Sequence, residues 1–162
     1  MRILSAGRHV SRIMVILCLP ALVLYGQATP AWSGAAASHA ASQRLRSHMS
    51  VYDLRTGSSH EIYTADSIWE APNWSPDGNY LIANSDGAIY KLKPDGTAKP
   101  QKLSIPANYR CNNDKALSPD GTKIAFSATV SPSKGSQVFL ADADGTNIKR
   151  MTQDVPSYFH GW

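Results

Sequence analysis

The sequence predicts an all-β fold of repeated four-stranded antiparallel blades behind a leader segment. Three observations predict it. The motif Trp74-Ser75-Pro76-Asp77-Gly78 is matched forty-three residues later by Leu117-Ser118-Pro119-Asp120-Gly121. Each copy is followed by short apolar, β-branched or aromatic runs bounded by Gly, Asn, Asp and Pro, as strands are. No stretch after the leader carries a long helical apolar period.

The first element is the leader. Arg2, Arg8 and Arg12 form a basic start, Ile13–Tyr25 is mostly apolar, and Gly26-Gln27-Ala28 supplies the small residues of a cleavage site. The apolar run would rise only about 20 Å as a helix, short of the roughly 30 Å hydrocarbon core. Residues 1–28 are therefore expected to be a cleaved secretory signal rather than a stable membrane span. Export across the inner membrane to a periplasmic or extracellular location follows. Residues 29–48 are rich in Ala and Ser, show no apolar period and read as a disordered linker.

The chain carries sixteen Lys and Arg, twelve Asp and Glu, and a net charge of +4. Three of those cations and none of the acids lie in the leader, so the mature chain is close to neutral at +1. No Lys/Arg run follows, and no nucleic-acid partner is expected. Cys111 is the lone cysteine after the leader and reads as a packed thiol, with no internal disulfide to make.

From 49 to 162 the chain is repeat. A half-copy opens it, with Val51-Tyr52-Asp53-Leu54, a turn at Arg55-Thr56-Gly57, and Glu61-Ile62-Tyr63-Thr64. In the two fuller copies Leu81-Ile82-Ala83-Asn84 aligns with Ile124-Ala125-Phe126-Ser127, and Ile89-Tyr90-Lys91-Leu92 with Val138-Phe139-Leu140-Ala141. Asp95-Gly96-Thr97 aligns with Asp144-Gly145-Thr146. In each Ser-Pro-Asp-Gly the Pro sets φ at the first corner, and the Gly takes the left-handed position that closes a hairpin. Ala128–Gln137 is an insertion relative to Ser85–Ala88 and reads as an exposed loop. Trp162 falls where a third motif would begin. A period in the forties with about four short strands is the arithmetic of a β-propeller blade.

These motifs resemble the WD40-like repeat of TolB-type propellers. The resemblance rests on Trp74-Ser-Pro-Asp-Gly, Leu-Ile-Ala, Ile-Tyr-x-Leu-x-Pro-Asp-Gly-Thr and Lys-Leu-Ser, and on their second copy ending in Arg-Met-Thr. Leu117 stands where that pattern has Trp. The expectation is an incomplete propeller of about two and a half blades, fewer than the four to eight of closed rings. It would be a truncated run, or one part of a ring completed by another chain with self-association through open blade edges.

The chemistry-bearing residue types form no recognisable constellation. There is no Gly-x-Ser-x-Gly elbow, no metal-ligand spacing among the histidines, and no phosphate-binding glycine pattern. Asp142-x-Asp144-Gly145-x-Asn147 lacks the Gly and Glu placement of an EF-hand and reads as a hairpin corner. No catalytic residue, metal or cofactor is therefore expected. Trp74 reads as core. Trp69, Tyr109, Arg110 and Asn112 read as residues of the connections between copies, where rigid scaffolds place binding groups. The expected function is a non-enzymatic extracytoplasmic scaffold that binds a protein or an envelope polymer. The alternative, drawn from the resemblance, is the N-terminal propeller portion of a prolyl-oligopeptidase-like peptidase whose catalytic domain is absent from this chain.

Overall fold

The computed structural model describes residues 45–162. The leader and most of the 29–48 linker lie outside the described residues. Ten strands are formed and no helix among the described residues: β1 (Ser47–Asp53), β2 (Ser58–Ala65), β3 (Glu70–Trp74), β4 (Leu81–Ser85), β5 (Ala88–Leu92), β6 (Gln101–Lys102), β7 (Tyr109–Leu117), β8 (Lys123–Val130), β9 (Gln137–Asp142) and β10 (Lys149–Arg150). They build three antiparallel sheets, ordered β1-β2, β3-β4-β5-β6 and β7-β8-β9-β10. The half-copy is thus a half-blade and the two fuller copies are complete blades, as the repeat arithmetic predicts. Ser47 and His48, assigned to the linker by composition, are instead the first residues of β1, because Ala65 and Thr64 on β2 extend the ladder to meet them.

The Ser-Pro-Asp-Gly motifs make the turns expected of them. Gly78 and Gly121 sit at φ of 71° and 72°, and each donates its amide to the carbonyl of the motif serine, at 2.9 and 2.8 Å. The serine has a role that the turn chemistry leaves open. Ser75 Oγ donates to Asp77 and accepts from the Tyr80 amide, and Ser118 Oγ does the same with Asp120 and Lys123. Both serines are buried, so the hydroxyl closes off the hairpin base with its polar groups satisfied.

Two cores lie between the sheets. One packs Met49, Val51 and Ile62 of the half-blade against Trp69, Leu81, Ala83 and Leu92. The other packs Ile82 and Ile89 against Leu117, Ile124, Phe126 and Phe139 of the second blade. β4 therefore sends Leu81 and Ala83 to one neighbour and Ile82 to the other, by the period-two geometry of a strand. That explains why all five of its residues are buried. Each blade is covered on a face only where another blade stacks on it, which is the physical basis of the repeat architecture.

The strand directions define two ends. The Ser-Pro-Asp-Gly and Asp-Gly-Thr turns gather at one. At the other lie the β4–β5 hairpin tip and the connections β2–β3, β6–β7 and β8–β9. At that second end the insertion is shorter than Ala128–Gln137. Ala128, Thr129 and Val130 extend β8, pairing with Cys111, Arg110 and Tyr109, so only residues 131–136 leave the sheet.

Candidate functional site

The connection end is built around the Asp86-Gly87 hairpin of the first blade. Both residues have positive φ, 49° and 75°, which is the two-residue turn whose twist matches the flanking strands. The tip docks on the start of β7. The Cys111 amide donates to the Gly87 carbonyl at 2.9 Å, and the Arg110 stem passes so close that a Cβ on Gly87 would stand 3.0 Å from Arg110 Cγ. The hairpin therefore fixes the root of the arginine.

Two clefts flank this tip. The first, of about 290 Å³, is lined by Asp86, Lys102, Ile105, Pro106, Tyr109 and Arg110. The second, of about 500 Å³, lies toward the half-blade and is lined by Tyr63, Trp69, Asp86, Tyr90, Lys99 and Pro100. Asp86 borders both. Lys99, Lys102 and Arg110 make no salt bridge or side-chain hydrogen bond among the described residues, and Asp86 takes none of them.

The sequence-derived site residues are partly brought together. Tyr109 and Arg110 share the first cleft, but they lie on β7 rather than in a connection, because the extension of β8 captures them as strand. Tyr109 meets Phe139 edge-on at 5.1 Å, so one face of its ring is structural. Trp69 does lie in the β2–β3 connection but is only 6% exposed. It is held between Tyr63 and Tyr90 at 4.8 Å each, with its amide and indole N–H donated to Ser47 and Ser67. Asn112 shapes a bulge. Its side chain accepts from the Asp114 amide, and its carbonyl accepts from Asn84, across the blade boundary. Trp74 is half-buried, against the first core. Asp86 was missed in the sequence; the signal that could have found it is the Asp-Gly pair between two apolar strands.

The inner strands hold a second polar feature. Lys115 on β7 is buried and donates from Nζ to the carbonyl of Ala71 on β3. Burial is the largest influence and pulls its pKa down to about 7, against weaker support from Glu70. Cys111 is also buried, which pushes its thiol up to about 12, the behaviour of a packed rather than a reactive cysteine. Asp142 pairs with Lys123 and Asn147, while Asp144 is bonded by Thr146, so both serve their hairpin corner. Among the described residues no three His, Cys, Asp or Glu side chains converge as a metal site would require.

With this geometry in view, the likenesses to known proteins become specific. An uncharacterized protein of Agrobacterium fabrum is 39% identical over 118 residues, covering 73% of this chain and 40% of the relative. The structure of a TolB-type protein from Agrobacterium tumefaciens superposes with a TM-score of 0.65 at 37% identity, covering 71% of this chain and 41% of that one. The described residues are TolB-like β-propeller repeats. TolB from Acinetobacter baumannii (TM-score 0.54, 18% identity, 67% of this chain and 27% of that one) shares the fold. So does an oligogalacturonate lyase solved with manganese (0.56, 19%, 67% and 31%). No family model matches the chain. The chain spans about two fifths of the length of the two Agrobacterium proteins.

Proposed function

We propose that this TolB-like chain is a non-enzymatic binding scaffold of an extracytoplasmic compartment, and that it engages a protein or envelope polymer through the connection end of its blades. The observation that carries the reading is the pair of clefts meeting at Asp86, where Arg110 is held at its root and Lys99, Lys102 and Arg110 take no salt bridge or side-chain hydrogen bond among the described residues. Rigid strands presenting unpartnered polar groups in a concavity are what a binding surface requires. The fold alone does not decide between classes, since it is shared with TolB and with a lyase. Export rests on the leader pattern of residues 1–28.

The test is a photoreactive residue placed at Asp86 and, separately, at Asp95 in a turn at the opposite end, followed by irradiation of intact cells. A discrete adduct from position 86 alone, recovered with the extracytoplasmic fraction, is the expected result. Equal labelling at both positions, or none at either, would sink the reading.

A further inference from the structure

The two ends differ in how their charged groups are engaged. At the turn end Asp53, Asp77, Asp95, Asp120 and Asp144 each accept a backbone amide within their own turn, so these carboxylates are already committed to local structure. At the connection end the first cleft presents Lys102 and Arg110 against the single carboxylate of Asp86, and Lys99 reaches the second cleft. The turn-end carboxylates are thus engaged locally, whereas Lys102 and Arg110 of the first cleft take no salt bridge or side-chain hydrogen bond among the described residues. Between Lys102 and Arg110 the wall is apolar, made by Ile105 and Pro106.

We infer that the first cleft receives the carboxylate side chains of an acidic segment of another protein, which deepens the scaffold reading and rests on it. The guanidinium of Arg110 offers a forked donor set suited to a carboxylate, and its stem is held against Gly87. Lys102 adds a second cation across the cleft, and the Ile105–Pro106 wall accommodates an apolar side chain between acidic ones. An acidic polysaccharide fits less well. Sugar rings stack on open aromatic faces, whereas the aromatic ring lining this cleft, Tyr109, is engaged by Phe139 at 5.1 Å.

The test measures binding of fluorescein-labelled poly-L-glutamate to the full chain, with labelled polygalacturonate as the comparison. The double variant Lys102→Gln/Arg110→Gln is set against Lys93→Gln/Lys149→Gln, which removes the same charge away from the cleft, and against Arg110→Lys, which keeps the charge. The inference expects poly-L-glutamate binding that weakens about tenfold or more in the cleft pair, and by under about twofold in the remote pair. It expects Arg110→Lys to fall between wild type and the cleft pair. Absence of binding, equal loss in both pairs, or tighter and equally cleft-dependent binding of polygalacturonate would each overturn it. If position 86 still gives its discrete adduct while poly-L-glutamate fails, this inference falls alone. If both fail, the scaffold reading falls with it.

Discussion

Lys115 shows how one residue ties stability to pH. Its side chain crosses from β7 to a carbonyl on β3, so an ammonium group is enclosed at the seam between two blades. Removal from water disfavours its charged form, and its folded pKa of about 7 lies below the roughly 10.4 of an unfolded lysine. Between those values the unfolded chain binds a proton that the folded chain does not. Stability contributed by this group is therefore fully present above pH ~10.4 and is lost as pH falls through about 7. The size is on the order of a few kcal/mol. Lys115→Met is expected to flatten the rise in the urea midpoint between neutral and alkaline pH. Its gain at neutral pH will be partial, because the Ala71 carbonyl loses its donor. Parallel slopes for variant and wild type would refute the assignment. Cys111 lies in the same seam and shares the physical setting: burial raises its thiol, and the opposing pull of Lys102 and Lys115 is too weak to offset it.

At the scale of elements, the turns separate two costs that a glycine can carry. Gly78 and Gly145 both have positive φ, 71° and 89°. A Cβ on Gly78 would meet nothing within 4 Å, whereas one on Gly145 would stand 2.9 Å from the Ser104 amide nitrogen and from Ile105 Cγ1. Gly78→Ala is therefore expected to cost only the backbone strain, about 1 kcal/mol. Gly145→Ala adds a clash with backbone and should lower the unfolding midpoint clearly further, as chemical denaturation of the two variants would show. The contrast has a structural cause. The β9–β10 turn is wedged against the β6–β7 connection, with the Ser104 amide donating to the Asp144 carbonyl at 2.8 Å. Turns that share an Asp-Gly step therefore differ in what they support.

Across the whole molecule, the cores exist only between blades. β1 pairs with β2 on one edge, and among the described residues nothing pairs its other edge. The corresponding edge of β5 is paired by β4, and that of β9 by β8. Unpaired edges and one-sided sheet faces recruit further strands. A chain of residues 29–162 alone is thus expected to self-associate, seen as a scattering mass that rises with concentration. A sharp, concentration-independent monomeric unfolding transition would count against this.

The architecture was legible in the sequence because it is written locally and twice. Ser-Pro-Asp-Gly, Asp-Gly-Thr and the short β-branched runs each specify their own turn or strand, and their recurrence reveals the blade without knowledge of any long-range contact. The half-blade followed from the same logic, and the strand count of each sheet matches it. The candidate site was legible only in outline. Tyr109 and Arg110 do line a cleft at the connection end, but composition could not show that β8 would extend to pair with them, since pairing depends on a partner strand far along the chain. For the same reason Trp69 looks like a loop aromatic in sequence and is a core residue in space, where Tyr63 and Tyr90 arrive from two different sheets. Lys115 carries no sequence signal of burial at all. By itself, the sequence determined the turns, the strands and their repetition, because these depend on backbone preferences within a few residues. Only the tertiary structure decided which polar groups are enclosed and which cations stand free, because solvation and charge pairing depend on what the neighbouring blade brings.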